Sequence, residues 1–404
     1  MAKRYTTSSR NLIVLILGTL IAIGPFSIDM YLPGFENVAN DFNVDISKVG
    51  YTLTSYLIGI ALGQLAYGPL MDRFGRRRPL IGGLTLFIFS SLICAFSWKL
   101  EILVTARFFM ALGGCAGMVA SKAMVRDLFE KKQVADVLST LMLIMGVAPI
   151  IAPTVGGLVI GAFDWEAVFF ILAGFAVLML LLITYILPES AKPNRATSLR
   201  PKRILSEYLS ILKNREFFIF AMIRGFSLGA LLSYVSSAPF IFLSFFGLTE
   251  QEFGWVFGSN ALGLILGSQI NRLALRKFSL FNIAVTISIA LTLLTLGGLI
   301  ISSVVGVQFW IIYPFLFMML FCIGFQNPNT TALSLDPFTI QAGSASALVG
   351  SIGMIFGSVA SIAVSQLVTD GVMPLLFILF SCALCSMLLI LYYRRRIKRE
   401  IVIQ

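Results

Sequence analysis

Long apolar runs recur along the whole chain and constrain its fold more than any other feature. Crossing a hydrocarbon core of ~30 Å takes about 20 apolar residues in a helix, and lipid admits only helices or closed barrels as spanning structures. The chain has 404 residues, of which 58% are hydrophobic and 12% are charged. That charged fraction is about half of the share usual in soluble domains. The sequence therefore predicts an all-α polytopic membrane protein.

The apolar runs divide into two sets of six predicted transmembrane helices. Their ranges are 11–32, 48–70, 79–97, 101–123, 135–160, 166–187, 216–246, 252–271, 279–304, 308–332, 342–368 and 373–393. The polar and basic segment between the sets ends in an amphipathic stretch, whose apolar face is formed by Ile204, Leu205, Tyr208, Leu209 and Leu212. We predict an N-terminal half over 1–187, a C-terminal half over 216–404, and a cytoplasmic linker over 188–215 whose helix lies on the membrane surface.

Basic residues are distributed asymmetrically between the two sides of the predicted bundle. If the N-terminus is cytoplasmic, the cytoplasmic segments hold 25 of the 30 Lys and Arg, and the outer loops hold Lys48 and Lys99. The positive-inside rule then places both termini in the cytoplasm. This bias accounts for the net charge of +11 without a nucleic-acid partner. The first apolar run lacks a signal-peptide cleavage site and is expected to remain as an uncleaved span.

A weak internal repeat relates the two halves. A shift of 204 residues aligns the second span with the eighth, with six identities in 25 positions. Both spans carry a G-x-x-x-G motif, Gly59/Gly63 and Gly263/Gly267, followed ten residues later by a basic residue. The motif lets helix backbones approach closely, and helix packing alone would explain it. Parallel repeats of several spans are also typical of secondary transporters.

The loop between the second and third spans holds four arginines and one aspartate between two apolar runs. A charged loop of this kind must lie at the side of the membrane where basic residues collect. Its residues are Gly68-x-Leu70-x-Asp72-Arg73-x-Gly75-Arg76-Arg77. This pattern resembles the loop motif between helices 2 and 3 of the major facilitator superfamily.

Within that superfamily, the chain resembles the drug:proton antiporters of the Bcr/CflA (bicyclomycin-resistance-like) branch. The similar stretches lie in both halves and are Asp29–Pro33, Arg107, Ala152–Gly157, Tyr234–Phe240 and Gln326–Thr331. The resemblance implies the major facilitator fold of two six-helix halves and transport by alternating access. It also implies that Asp29 carries the coupled proton and that Arg107 assists the coupling.

The loop motif is expected to form a cytoplasmic gate. The residues of this gate would be Gly68, Asp72, Arg73, Gly75, Arg76 and Arg77, together with Arg126. Arg126 opens the next inner loop and is expected to pair with Asp72. Lys122, at the inner end of the fourth span, is expected to anchor that span at the membrane surface.

Asp29 is the most informative ionisable residue within a span. Such a group is costly inside the membrane and usually marks a substrate or ion path. Asn11 and Asp29 are about 27 Å apart along a helix, which places Asp29 in the outer third of the membrane, at a depth similar to that of Arg107. Two alternatives remain open at this stage. Asp29 could be a solvated residue at the end of the span, and Arg107 could extend to the outer interface.

The fifth span combines prolines and glycines, which predicts a kinked helix with a bare face. These residues are Gly146, Pro149, Pro153, Gly156 and Gly157. The stretch resembles the superfamily's antiporter motif, although Ala152 stands where a glycine commonly precedes the proline. A structural kink without a role in transport direction is the alternative.

Several polar side chains within the predicted spans are candidates for lining a substrate cavity. They are Gln64, Tyr67, Arg224, Tyr234, Asn260 and Gln326. Hydrogen bonds between helices would explain any one of them equally well, and Arg224 could instead be an anchor at the inner surface. Few charges and many aromatic residues, 35 Phe and 11 Tyr, suit a cavity for amphipathic, largely apolar substrates.

The sequence also excludes several chemistries. It contains no histidine, which removes histidine proton relays and histidine-ligated metals, and it contains no phosphate-binding G-x-x-x-x-G-K-[ST] loop. We expect no enzymatic activity, no cofactor and no resident metal. The interpretation is a monomeric proton-coupled antiporter that exports small, mostly hydrophobic drugs or metabolites across a bacterial inner membrane. A major facilitator symporter or uniporter for a nutrient, or a membrane protein that does not transport, are the alternatives.

Overall fold

The structure is a computed structural model and describes residues 7–194, 198–338, 341–367 and 371–403. Parts of the predicted N-terminal half, of the linker and of the span 342–368 (residues 1–6, 195–197 and 368) lie outside this range. The described residues form fourteen α-helices and no β-strand. These are α1 (Thr7–Asp29), α2 (Phe35–Asp41), α3 (Ile46–Phe74), α4 (Arg77–Ala95), α5 (Leu100–Leu128), α6 (Lys131–Ala162), α7 (Glu166–Tyr185), α8 (Pro201–Leu212), α9 (Arg215–Pro239), α10 (Glu250–Ala274), α11 (Leu280–Val305), α12 (Phe309–Leu335), α13 (Ala342–Leu367) and α14 (Met373–Ile403).

The all-α fold with two six-helix halves is confirmed. The first half consists of α1 and α3–α7 with the short α2, and the second half consists of α9–α14. Eleven helical segments of the described chain are long and apolar enough to cross a membrane. The helix predicted as the eighth span, α10, is not among them, because Asn260, Gln269 and Asn271 interrupt its apolar sequence. Asn260 and Asn271 are buried against neighbouring helices.

The repeat seen in the sequence corresponds to the same packing in both halves. Gly59 of α3 lies against α5, where an added Cβ would come within 2.5 Å of the Phe108 carbonyl oxygen. Gly263 of α10 lies against α12 in the same way, 2.6 Å from the Phe317 carbonyl oxygen. The two G-x-x-x-G motifs therefore bring equivalent helix pairs into backbone contact.

The two halves meet along two helix pairs, α3 with α13 and α6 with α10. The repeat relates α3 to α10 and α6 to α13, so these two interfaces are equivalent. We name the two ends of the bundle by their charges. The basic end carries Arg73, Arg76–Arg78, Arg126, Arg272 and Arg394–Arg396, and the acidic end carries Glu36, Asp41, Asp45 and Asp164.

The end of the first span differs from its predicted boundary. Helix α1 ends at Asp29, and a buried 3-10 turn at Leu32–Gly34 leads into α2. Trp165 donates a hydrogen bond from Nε1 to Asp41 of α2 at 2.6 Å. This bond ties the short helix to the start of α7, so the chain folds back over the acidic end instead of continuing the span.

The linker helix α8 packs part of its predicted apolar face, Ile204, Tyr208 and Leu212, against the protein together with Ile211. Tyr208 and Ile211 are buried against α9 and α13, and the Tyr208 hydroxyl donates to the Leu65 carbonyl of α3 at 2.9 Å. Leu205 and Leu209 are exposed. The helix therefore contacts both halves through one side and leaves two leucines free to meet a membrane surface.

Replacement of Gly59 by alanine is expected to destabilise the protein. The new methyl group would collide with the Phe108 carbonyl and with Ala111 Cβ at 2.8 Å, and overpacking of this kind costs about 1–3 kcal/mol. The matched control is Gly82→Ala in α4, where an added Cβ would have no neighbour within 4 Å. Thermal unfolding in detergent should show a lower midpoint for Gly59→Ala alone. Equal midpoints for the two variants would contradict the backbone contact between α3 and α5.

Candidate functional site

A cavity of about 550 Å³ opens between the two halves at the basic end. The first half contributes Gln64, Gly68 and Asp72 from α3 and Met118, Val119, Lys122 and Arg126 from α5. The second half contributes Ser344, Ser346 and Ala347 from α13, and α8 adds Arg203, Ile204, Glu207 and Tyr208. The volume is in the range of small-molecule binding sites.

The bundle is closed at the acidic end. A void of about 10 Å³, roughly the size of one water molecule, lies there between α2, α3, α9 and α13. Near this void, the Ser361 hydroxyl of α13 contacts the Thr54 hydroxyl of α3 at 2.9 Å, which joins the two halves. The same Ser361 hydroxyl contacts Ser236 of α9, within the second half, at 2.8 Å. Deeper in the interface, Ser351 donates to the Ala61 carbonyl at 2.9 Å. The cavity opens at the basic end, and these hydrogen bonds hold the halves together towards the acidic end.

Arg107 is fully buried in the first half among aromatic rings. Its guanidinium carbon lies 4.3 Å from the ring centre of Tyr56, 4.9 Å from that of Tyr31 and 5.7 Å from that of Phe169. Nη1 donates to the Ser27 carbonyl of α1 at 2.8 Å, whereas Nε and Nη2 have no hydrogen-bond partner in the described structure. The structure therefore contradicts the alternative that Arg107 extends to the outer interface.

Asp29 is buried at the end of α1, with 6% of its surface exposed. No hydrogen bond or ion pair described in the structure involves its carboxyl group, and Arg107 does not reach it. It interacts electrostatically with Tyr234 of the second half. Tyr234 accepts a hydrogen bond from Asn260 Nδ2 at 3.3 Å and stacks on Phe257. Asp29 is therefore a buried acid without a partner, beside the interface of the two halves.

The Asp29 region and the cavity lie at different levels of the bundle. Tyr56, which covers Arg107, and Gln64, which lines the cavity, are both on α3 and are eight residues apart. Eight residues of helix span about 12 Å. A proton-binding group at Asp29 and a ligand in the cavity would therefore not touch directly in this conformation.

The gate residues form an ion-pair cluster at the mouth of the cavity. Arg76 joins Asp72 at 2.6 Å and Asp127 of α5 at 3.0 Å. Partial burial acts to lower the pKa of the Arg76 guanidinium, but the hydrogen bonds and charges of Asp127 and Asp72 outweigh it and raise the pKa above its ordinary value. The expected pairing of Asp72 with Arg126 is not found in the described structure. Asp127, the next residue along α5, completes the cluster instead.

Glu189, just beyond α7, holds the loop that follows Gly75. Its carboxylate accepts the backbone N–H groups of Arg76 at 2.8 Å and Arg77 at 3.2 Å, at the start of α4. These are the donors that a helix N-terminus leaves unsatisfied, and a negative charge there is favourable. Gly75 has φ +84, and an added Cβ would lie 2.7 Å from the Glu189 carboxylate. The motif therefore needs glycine here for both conformation and space.

Three further gate residues make other contacts. Gly68 lines the cavity. The Arg77 side chain donates to the Thr184 carbonyl of α7. Arg73 lies 5.9 Å from the ring centre of Phe74. Sequence analysis missed Asp127 and Glu189, although each is an acid next to a predicted basic loop, because a charge at the end of a span does not reveal which way it points.

The other cavity candidates separate into three groups. Gln64 lines the cavity, whereas Tyr234, which interacts electrostatically with Asp29, is hydrogen-bonded to Asn260. Tyr67 packs against Gly83 of α4, and Gln326 is buried in the second half, where it donates to Ser288 at 2.7 Å and Ser386 at 3.3 Å.

Arg224 of α9 lies inside the second half and does not reach the end of the helix. It donates to the Thr331 hydroxyl at 2.7 Å and to the Val349 carbonyl at 3.3 Å. Both acceptors are neutral, so its charge is not balanced by them.

The glycines and prolines of α6 face the second half and the end of α1. The helix continues from Lys131 to Ala162 with Pro149 and Pro153 inside it. An added Cβ on Gly157 would lie 2.5 Å from the Glu250 carbonyl of α10, and Gly156 packs against the Met30 carbonyl. Gly146 has only Ile265 of α10 nearby, at 3.6 Å. The predicted bare face therefore forms the contact that closes the acidic end.

Comparison with known proteins relates the whole chain to one family. A family model described as Major Facilitator Superfamily matches residues 15–361. The chain is 33% identical over 371 residues to "Uncharacterized MFS-type transporter YdgK" of Bacillus subtilis, covering 89% of this chain and 90% of that protein. It is 30% identical over 384 residues to "Bicyclomycin resistance protein homolog" of Haemophilus influenzae, covering 94% and 95%. It is also 30% identical over 377 residues to "Multidrug resistance protein MdtL" of Escherichia coli, covering 92% and 93%.

Solved structures agree on the fold. The nucleoside transporter NupG superposes with a TM-score of 0.71 at 13% identity, covering 96% of this chain and 99% of that chain. The D-xylose-proton symporter superposes with a TM-score of 0.74 at 15% identity, covering 95% and 97%. At these identities the likeness concerns the fold alone.

Removal of the Glu189 carboxylate is expected to loosen the gate loop. In Glu189→Ala, the N–H groups of Arg76 and Arg77 lose a charged acceptor, and hydrogen bonds to charged groups contribute about 1.5–3 kcal/mol. Amide hydrogen exchange at Arg76 and Arg77 should become at least roughly tenfold faster. The control is Glu130→Ala, an exposed residue before α6 that makes no side-chain capping bond. Unchanged exchange in Glu189→Ala would show that the loop does not depend on this contact.

Proposed function

The chain belongs to the major facilitator superfamily and to its Bcr/CflA-like branch, and on this premise we propose that it is a proton-coupled antiporter that exports small, mostly hydrophobic molecules. The family consists of membrane transporters for small molecules rather than enzymes. The observation that carries the proposal is the burial of Asp29, an acid without a partner, beside the interface of the two halves.

Asp29 is well suited to carry the coupled proton. An ionised carboxylate without a partner is costly inside a membrane, so the charge of Asp29 depends on which groups surround it. Those groups include Tyr234 of the second half, and movement of one half against the other would change them. Proton binding and the orientation of the halves are therefore linked, which is what coupling requires.

Arg107 would assist this step through its unused donors. Nε and Nη2 are buried without partners in the described structure, while the rings of Tyr31 and Tyr56 hold the guanidinium in place. These donors could stabilise an ionised Asp29 in a conformation that brings the two side chains together. A protonated, neutral Asp29 gains less from these donors than the ionised form, so Arg107 favours release of the proton from Asp29.

We further propose that the basic end faces the cytoplasm of a bacterial cell and that both termini lie there. The positive-inside rule supports this orientation, because Arg73, Arg76–Arg78, Arg126 and Arg394–Arg396 all lie at that end. The cavity would then be open to the cytoplasm, ready to receive a substrate for export. The cluster of Asp72, Arg76 and Asp127 would hold the ends of α3, α4 and α5 together as the cavity opens and closes.

The substrate class rests on relatives and on the cavity lining. Two relatives carry names that refer to bicyclomycin resistance and to multidrug resistance. The cavity wall combines apolar side chains such as Met118, Val119 and Ile204 with polar ones. Such a lining suits amphipathic molecules of drug or metabolite size.

Asp29→Asn is expected to abolish transport driven by a pH gradient, because asparagine cannot bind and release the proton. The assay uses everted membrane vesicles with an imposed pH gradient and a pH-sensitive acridine dye. Compounds that reduce the susceptibility of expressing cells, with bicyclomycin in the first panel, are added to the vesicles. Wild-type vesicles should show dissipation of the gradient on addition of a substrate, and Asp29→Asn vesicles should show none.

The control for this experiment is Asp164→Asn, which removes an exposed carboxylate at the acidic end. It should retain wild-type activity. Retained proton-coupled transport in Asp29→Asn would refute the assigned role. In sealed right-side-out vesicles, uptake of a substrate together with protons would instead support the nutrient symporter.

A further inference from the structure

Lys122 lines the cavity and forms no ion pair in the described structure. It lies six residues before the end of α5 at Leu128, about 9 Å inside the basic end, and is a partly buried part of the cavity wall. No hydrogen bond or ion pair of the described structure involves its amine. The charged groups that interact with it are Arg224 and Arg126, both cations.

Arg224 belongs to the opposite half and lies within electrostatic range of Lys122. Its only described hydrogen bonds go to the Thr331 hydroxyl and to the Val349 carbonyl, two residues beyond Ala347 of the cavity wall. These acceptors orient the guanidinium but leave its charge unbalanced. Lys122 therefore lines the cavity without an ion pair, and a second cation, Arg224 of the other half, lies behind the cavity wall within electrostatic range of it.

The acids of the cavity wall form no ion pair with Lys122 in the described structure. Asp72 and Asp127 are at the mouth and both bind Arg76. Glu207 is on α8 and accepts a hydrogen bond from the Ser344 hydroxyl at 2.6 Å. Asp127 is five residues beyond Lys122 along α5, which corresponds to about 7.5 Å towards the mouth.

An unbalanced buried cation is costly, and two of them that repel each other are more so. A ligand with a negative group would remove this cost. We propose that the cavity binds amphipathic molecules that carry an acidic group, a carboxylate or sulfonate, with this group between Lys122 and Arg224 and with the apolar part against Met118, Val119 and Ile204. The proposal deepens the proposed export function and rests on it for the statement that this ligand is cargo.

The position of the two cations also links the ligand to the movement of the halves. Without a ligand, repulsion between Lys122 of the first half and Arg224 of the second favours the open cavity seen here. An anion between them converts this repulsion into attraction to a shared partner. The ligand therefore favours closure at the basic end, the step that a transporter must take only when it is loaded.

Binding measurements on the purified full chain in detergent test the proposal without any transport. The probes are 1-naphthaleneacetate, the neutral 1-naphthaleneacetamide and the cationic 2-(1-naphthyl)ethylammonium, which share one apolar group. Calorimetric titration should show that the carboxylate binds wild-type protein at least about tenfold more tightly than the amide, because hydrogen bonds to a charged group contribute more binding free energy than those to a neutral group. The ammonium probe should bind most weakly.

The variants Lys122→Gln and Arg224→Gln should each reduce the preference for the carboxylate to less than about threefold. Lys122→Arg should retain it, because the charge remains. Lys213→Gln, which removes an exposed charge outside the cavity, should leave it unchanged. Size-exclusion profiles and unfolding midpoints identify any variant that fails to fold, and the other glutamine variant then carries the test.

Equal binding of the three probes to the wild type, or no binding of the carboxylate, would overturn the proposal. A preference for the carboxylate that persists in both Lys122→Gln and Arg224→Gln would also overturn the proposal. These outcomes can be separated from failure of the proposed function. Proton-coupled export of neutral compounds only would support the proposed function and overturn this inference. Selective carboxylate binding without pH-driven transport would support this inference and contradict the proposed function.

Discussion

Close contact between helix backbones at glycine is the constraint on which the rest of this structure depends. Lipid offers no hydrophobic force to drive helices together, so packing must come from small residues that let backbones touch. Gly59 and Gly263 do this within the two halves, and Gly157 and Gly254 do it between them. The contacts between the halves at α6 and α10 thus consist of backbone against backbone rather than interlocked side chains. Such surfaces can separate and re-form as one half rocks against the other.

The charged groups of the bundle have three different kinds of surroundings. Arg76 is neutralised by two carboxylates at the basic end. Arg107 is enclosed by aromatic rings, whose faces stabilise a cation but leave its charge in place. Lys122 and Asp29 have no such compensation in the described structure, and these are the residues for which a mobile partner, an acidic ligand or a proton, is proposed. The distinction is physical, because only an uncompensated charge gains from a partner that comes and goes.

Much of the fold could be predicted from the sequence, but the pairing of side chains at the site could not. The apolar runs and the duplicated G-x-x-x-G motifs predict the helices and their repeat, since both signals are local. The gate loop was also recognised, but Asp72 was expected to pair with Arg126, whereas it pairs with Arg76, which also binds Asp127 of α5. Consecutive residues of a helix point about 100° apart, so the rotation of α5 decides whether Arg126 or Asp127 faces the gate loop. The sequence carries no direct record of that rotation.

By itself the sequence determined that this chain is a helical membrane protein of two related halves, with most of its positive charge at one end. Hydrocarbon thickness, backbone hydrogen bonding and the positive-inside bias dictate these properties residue by residue, and no neighbour in space is needed. Only the tertiary structure decided that Asp29 and Arg107 do not pair, that Glu189 caps α4, and that Lys122 lies within electrostatic range of Arg224 of the other half. These relations join residues far apart in the chain, and they depend on helix rotation and on how the halves are arranged in this conformation.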